Sequence, residues 1–599
     1  MNRRQFLKSA AALPLLTAGG AALARPAVAR VRPTDAAWPS PASWERLGQQ
    51  TGGRLVQLRS PFATCRDAPV GPACRQIFRE LKNPYYIGDD PALTQTMGWI
   101  DAWASAPSAY CVAAETAADV AAAVAFARDN NLRLVVKGGG HSYLGTSNAP
   151  DSLLIWTHPM KAITLHDAFV PQGCEGRLAA LPAVSVGAGA IWMHTYNEVT
   201  TMGGRYVQGG GCGTVGVAGL VLGGGFGSYS KTYGTAAASL LEAEIVMADG
   251  VVRVVNACVD PELFWALKGG GGGSFGVVTR LTLRTHDLPK TFGFLGTRIH
   301  AASDTAFRKL IARFVVFYAE NLLNPRWGEI VTLRPGREFE VSMSFQDLDA
   351  QEADAIWRPF FAWVATDGSD LAFLEPPRII AGPPRHRWDP AFLKARVPGA
   401  VISDDRPGAP GDNVFWSANL GEAGHFIEGF ESAWLPAELL APDKRETLAD
   451  ALFAAARLWS VELHFQKGLA GAPAATIAAA ADTATNPAVL DAFVLAIIAG
   501  ETPPAYPGLP GYAPDLDAAR HSAAQIAAAM AELRKVAPLA GSYVAESSYF
   551  ERQWQQSYWG SHYPRLLAIK QAYDPDGLFF VRHGVGSEGW SDDGFTRAT

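Results

Sequence analysis

Lys137-Gly138-Gly139-Gly140-His141-Ser142-Tyr143, entered from the β-branched run Leu132 to Val136, is the stretch on which the reading of this chain turns. Three successive glycines cost backbone entropy and are retained where φ must be positive or a backbone must come close to something. Two further clusters repeat the signal: Gly209-Gly210-Gly211-Cys212-Gly213-Thr214-Val215-Gly216 with Gly223-Gly224-Gly225, and the run Gly269 through Gly273. Several loops rich in bare N–H groups suit one large anionic ligand, because such loops form nests for phosphate oxygens. The alternative is three unrelated tight turns. His141 and Cys212 each stand inside one of these loops, so either is a candidate nucleophile, with a structural hydrogen bond or a disulfide as the plainer reading.

Outward from this stretch the pattern is α+β. Thr116-Ala117-Ala118-Asp119-Val120 starts an alanine-rich helix through Asn130, with Thr or Asp as cap. Val184 to Val186 reads as a strand, Ile191 to Met202 as an amphipathic helix, and Glu244 to Val255 as a hairpin turning at Asp249-Gly250. Asp260 to Leu267 is a short helix capped by Asp260 and opened by Pro261, and Phe275 to Leu283 a strand. The glycine loops are expected at strand-to-helix junctions. Beyond Leu288 the glycine clusters stop. Strand-like runs at Gly328 to Leu333 and Phe339 to Phe345 alternate with helices around 446–456, 474–483 and 518–534, and aromatic residues return after Gly541. A G-x-G-x-x-G match at Gly271-Gly272-Gly273-Ser274-Phe275-Gly276 is a poor nicotinamide signal, since it precedes a strand rather than opening a helix.

The chain's 599 residues exceed one core. With 48% hydrophobic residues, 17 Trp and 29 Phe, the composition is that of a globular protein. A formal charge of −6 with no basic run argues against a nucleic-acid partner, and no charge-free run after the N-terminus is long enough to span a membrane. Asn2-Arg3-Arg4-Gln5-Phe6-Leu7-Lys8, the apolar stretch Ser9 to Ala24 and the small residues Ala27-Val28-Ala29 read as a twin-arginine export signal, with an ordinary amphipathic helix as the alternative. The expected location is periplasmic or secreted. Of six cysteines, Cys65 and Cys74 are the expected disulfide. A Cys212 occupied by a cofactor leaves an odd number and hence a free buried thiol. No zinc-like spacing occurs, and no metal is expected.

Lys137 to Tyr143, Gly211-Cys212-x-x-Val215-Gly216, the loop and strand Gly269 to Val278, and Tyr558-Trp559-Gly560-Ser561-His562-Tyr563-Pro564-Arg565-Leu566 with Ile569-Lys570 and Tyr573-Asp574-Pro575 together resemble the berberine bridge enzyme family of vanillyl-alcohol-oxidase-type FAD proteins. The match spans about 110–288 and 541–585. The tail Gly584-Val585-Gly586-Ser587-Glu588 is similar to the isoamyl-alcohol-oxidase-like branch. The resemblance implies a PCMH-type FAD domain of two parts (105–288 and 539–599) with an inserted α+β substrate domain (289–538); the Pro- and Trp-rich residues 30–104, after a signal (1–29), read as an N-terminal wrap over it. It also implies FAD bonded through His141 to the flavin 8α-methyl and through Cys212 to ring carbon 6. Flavin contacts are implied for Lys137, Gly138, Gly139, Gly140, Ser142, Gly211, Gly213, Thr214, Val215, Gly216, Gly219, Gly276, Val277, Val278 and Tyr563.

Three positions depart from the family pattern. Lys137 replaces a common Arg and should favour phosphate without the bidentate fork. His562 stands where Asn is common. Ser542-Tyr543-Val544-Ala545-Glu546 places Glu546 where sugar-oxidising members carry a tyrosine base. Glu546 is therefore the candidate general base, against the alternative of a solvated surface carboxylate; Tyr543 is second, and Tyr143 could line the pocket. Val215 is small at a position the family associates with oxygen access. The expected activity is an oxidase transferring hydride from an alcohol, sugar or related CH–OH donor to flavin and on to dioxygen. A dehydrogenase using another acceptor and a non-catalytic flavin-binding protein are the alternatives.

Overall fold

The computed structural model describes residues 28–366 and 370–597; the twin-arginine stretch and its apolar run lie outside the described residues. Three sheets organise it. In the first, Leu55–Gln57, Tyr110–Ala113, Leu153–Trp156 and Leu134–Lys137 lie side by side in that order, the last three parallel. Leu153–Trp156 is buried throughout, as expected of a parallel strand covered on both faces. Helix Ala117–Asp129 packs on this sheet. Its N-terminus is closed by a reciprocal capping box, Thr116 accepting from the Asp119 N–H and Asp119 accepting from the Thr116 N–H.

The second sheet is antiparallel, in the order Val252–Asn256, Leu240–Val246, Val277–Asp287, Leu181–Gly187, Ile163–Phe169, with Arg205–Val207 paired to the far end of Val277–Asp287. The expected hairpin about Asp249-Gly250 is present. Three local expectations need correction. Asp260 adopts φ 48° and its side chain caps nothing, so helix Pro261–Leu267 starts on the proline alone. The helix expected over Ile191 to Met202 is α-helical only at Trp192–Tyr196 and widens to a π-helix at Asn197–Met202. The Gly269 to Gly273 loop joins a helix to a strand, the reverse of the expected junction.

The third sheet has nine strands, and seven of them come from residues 292–502. Phe292–Ala301 alternates along its length, turning Leu295, Ile299 and Ala301 onto the helices Asp304–Phe317, Ala350–Thr366 and Arg445–Leu458, which cover one face. The other face looks toward the glycine loops. The last two strands, Thr96–Trp99 and Trp103–Ala104, come from the segment expected to wrap the FAD domain, and Thr96–Trp99 adds in parallel to His425–Pro436. The same segment grips a glycine loop, with Gln95 N–H donating to Gly140 O at 3.0 Å.

Cys65 and Cys74 are bridged as expected, and Cys174–Cys258 forms a second disulfide across 84 residues. Cys111 is the buried free thiol and Cys212 is free and half-buried. Among the described residues no helix is long and apolar enough to cross a membrane.

Candidate active site

The glycine loops and the open face of the nine-stranded sheet enclose a cavity of about 1690 Å³, well above the ~300–1,000 Å³ of an ordinary small-molecule pocket. Its floor is largely backbone. Gly138 to Tyr143, Gly210 to Cys212, Val215, Gly216, Gly219, Gly271 to Ser274, Gly276 and Val278 all line it. Gly140 takes φ +74°, and that turn carries His141 from the end of strand Leu134–Lys137 into the cavity. Gly139 and Gly216 touch backbone to backbone: a Cβ on Gly139 would lie 2.9 Å from Gly216 N. Gly219 is different. It sits within helix Val217–Leu222, where glycine costs about 1 kcal/mol against alanine, yet a Cβ there would meet no protein atom within 4 Å. The space it leaves bare belongs to the cavity, as it would if a ligand lay against the helix.

Two nucleophiles from separate loops converge on this floor. Thr214 Oγ1 lies 3.3 Å from His141 Nε2 and 3.7 Å from Cys212 Sγ. Burial, with help from His425, pushes the His141 imidazole down to about 4, so it is neutral at ordinary pH. Burial, followed by the nearby Glu422 charge, pushes the Cys212 thiol up.

Other expected contacts are redirected. The Lys137 ammonium donates to Pro91 O at 2.6 Å, Leu93 O at 2.8 Å and Asn148 Oδ1 at 3.3 Å, so it ties the loop to the N-terminal segment rather than offering its charge to a phosphate. The Ser142 hydroxyl is engaged by Thr146 at 2.7 Å. Gly213 and Thr214 lie behind the floor, and Val277 is fully buried in the core of the first sheet. Tyr563 faces away, its hydroxyl donating to Glu588 at 2.8 Å. His562 meets Thr485 O at 3.1 Å and the Trp265 ring, not the cavity.

The roof is made of side chains. Glu546 lines it and is not a free surface carboxylate: its side chain is 23% exposed and ion-paired with Lys467. Lys467 follows the short strand Val461–His464, and no motif in its own sequence marks it. Glu329 accepts from Gln466 at 3.0 Å, and Glu462 meets His464 at 3.0 Å, both beside the same cavity. Tyr543 Oη accepts from Gly225 N–H at 3.2 Å; burial, then Glu546, pushes its phenol up. The Tyr143 phenol, beside Phe430, is likewise pushed up by burial and then by Glu422. Both phenols stay protonated.

FAD fits what is present. The cavity has room for a dinucleotide and a substrate, its floor offers close approach to backbone N–H groups, and Ser274 Oγ, Arg582 Nε and His583 Nδ1 are buried beside it without a partner in the chain. FAD, when bound, supplies the electron acceptor for the chemistry.

Residues 108–256 match the FAD binding domain family model, and 542–586 match the model for berberine and berberine-like proteins. An FAD-linked oxidoreductase of Arthroderma otae is 30% identical over 603 residues, covering 96% of this chain and 92% of its own. A VAO-type flavoprotein oxidase of Thermothelomyces thermophilus is 29% identical, with 94% of both chains covered. The crystal structure of a VAO-type flavoprotein from Myceliophthora thermophila C1 superposes with a TM-score of 0.76 at 25% identity, covering 95% of this chain and all of its own. Glucooligosaccharide oxidase from Acremonium strictum, described as carrying a 6-S-cysteinyl, 8α-N1-histidyl FAD, shares the fold at a TM-score of 0.59 and 19% identity, over 80% of this chain and 92% of its own.

Proposed function

The chain belongs to the berberine bridge enzyme-like family of vanillyl-alcohol-oxidase-type, FAD-linked oxidoreductases, and from that premise we propose that it is an exported oxidase carrying FAD bonded to both His141 and Cys212. The observation that carries the reading is the convergence of these two side chains, from separate glycine loops, on the floor of one cavity. His141 is neutral and so has a nitrogen lone pair for an electron-poor ring, and the doubly linked flavin of the Acremonium strictum oxidase supports the same attachment here. Two bonds hold the ring rigidly against the roof and raise its appetite for electrons.

Glu546 takes the hydroxyl proton of a primary or secondary alcohol, or of a sugar, while the adjacent carbon loses hydride. Lys467 holds that carboxylate in place. Tyr543 and Tyr143, with protonated phenols, shape and hydrogen-bond rather than abstract. The roof faces the floor across the cavity, and Val215, which lines it, is small enough to leave dioxygen a path to the site, with peroxide as product. The twin-arginine signal directs the finished protein out of the cytoplasm, a route suited to chains that fold around a cofactor first.

Acid precipitation is the direct test of attachment: yellow colour that stays with the protein supports it, and colour released entirely into solution removes it. A panel of alcohols and sugars is then screened anaerobically for flavin bleaching. Peroxide on readmission of air supports the oxidase; reduced protein that persists in air while a dye reoxidises it indicates a dehydrogenase.

A further inference from the structure

Cys212 poses a chemical difficulty that the doubly linked flavin inherits. A thiolate, not a thiol, attacks an electron-poor ring, yet burial and a neighbouring negative charge hold this thiol in its protonated form. The second bond therefore needs a proton acceptor within reach of Sγ. Among the described residues one cluster of this kind exists. A carboxylate oxygen of Glu422, Cys212 Sγ and a ring nitrogen of His141 all lie within 4.8 Å of one another. His141 is itself engaged in the first bond, which leaves the carboxylate.

Glu422 is built into that position. It ends the short 3₁₀ turn Ser417–Glu422, just before strand His425–Pro436, and Asn419 Nδ2 donates to its Oε1 at 2.6 Å. The titratable groups around it are Cys212, His141, His425, Glu501 and Tyr143. His425 is held from both sides, its Nδ1 3.0 Å from Glu501 and its Nε2 2.7 Å from Thr96 Oγ1. Glu546 is occupied by Lys467 across the cavity. Burial raises the proton affinity of Glu422, which narrows the gap between it and the thiol it must deprotonate.

We propose that Glu422 is the base that takes the Cys212 proton and so drives formation of the thioether to flavin ring carbon 6. The proposal rests on the doubly linked reading above. In balance, the S–H bond breaks toward Glu422, the Sγ–C6 bond forms, and the C6–H bond breaks with its electron pair kept by the ring. Glu422 hands its proton on to the reduced flavin, which also takes up the proton lost from C6; the flavin is thus the two-electron oxidant of the step, and dioxygen returns it to the oxidised state as peroxide forms. Glu422 acts once in the life of the molecule, during maturation, and is separate from the Glu546 pair that turns over substrate.

The test is peptide mass spectrometry on purified protein, with thiol alkylation of Cys212. Wild-type digests are expected to hold the His141 and Cys212 peptides joined through one flavin. Glu422→Gln is expected to carry flavin on His141 alone, with Cys212 alkylatable, its second bond forming at least about 100-fold more slowly. On incubation in air that bond should complete faster as pH rises, about tenfold per pH unit, because hydroxide now supplies the thiolate. A Glu422→Gln protein that purifies fully cross-linked overturns the proposal, as does one that stays singly linked at every pH. Should Glu422→Gln retain no flavin at all, Asn419→Ala decides: partial cross-linking supports the base role and complete cross-linking overturns it. Wild-type protein with flavin on His141 and a free Cys212 overturns the doubly linked reading itself, a result distinct from any of these.

Discussion

The floor and the roof of the cavity are built by opposite means. The floor, from Gly138 to Tyr143, Gly210 to Cys212, Val215, Gly216, Gly219 and Gly271 to Ser274, presents backbone, and its glycines are placed so that chain can approach chain or ligand. The roof, the open face of the nine-stranded sheet with the Tyr543 to Glu546 turn, presents paired side chains: Glu546 with Lys467, Glu329 with Gln466, Glu462 with His464. A surface of backbone fits one invariant ligand, and a surface of side chains can be respecified residue by residue. On the proposed reading, cofactor binding and substrate choice are carried by different chemical means within one cavity.

The largest effect should come from the roof. Glu546→Gln is expected to lower kcat by about 10²–10⁴-fold with the flavin absorption spectrum unchanged; an altered spectrum would mean that the residue belongs to cofactor binding, and the contrast between the surfaces would break. Acid should next act away from both surfaces, on the second sheet. His286, in strand Val277–Asp287, is pushed down to about 4 by burial and then by Arg284 and Arg205. Its folded value lies below its unfolded one, so its contribution is complete above pH ~6.5 and is lost as pH falls toward about 4, by at most roughly 3 kcal/mol. Denaturant melts of wild type and His286→Phe across that window should differ in slope.

Gly139→Ala forces the Gly139 and Gly216 backbones apart and should cost about 1–3 kcal/mol, with a matching loss of bound flavin. The smallest effect is the sharpest. Gly219→Ala meets no protein atom, so the flavin-free protein should gain up to about 1 kcal/mol of stability while flavin content falls. Unchanged flavin content would show that this part of the floor touches no ligand.

What was legible in the sequence follows the same division. His141 and Cys212 could be found because each is embedded in a local glycine signature, and the alanine-rich helices and the Asp249-Gly250 hairpin because their signals are local. Lys137 was misread since its charge suggested phosphate, whereas the chain itself supplies three carbonyl oxygens. Tyr563 stood within a matching motif but points to Glu588. Lys467 and Glu422 could not be found: the sheet brings Lys467 to Glu546 across 79 residues, and Glu422 reaches Cys212 from a turn with no repeat or spacing to mark it. Asp260 carried the residue type of a cap without the backbone for it, because its φ is left-handed.

Strand Thr96–Trp99 also sets a clock. Its neighbour in the nine-stranded sheet begins with His425, and the Thr96 to His425 hydrogen bond spans 329 residues. At about 5–20 residues per second of synthesis, the earlier strand waits roughly 15–65 seconds for its partner to emerge. During that interval Gln95 can already hold the Gly140 loop, but the far edge of the segment has nothing to pair with. Among the first strands made, it is one of the last seated, and the interval in which it stands open is the interval in which a nascent-chain chaperone or a second unfinished copy could claim it.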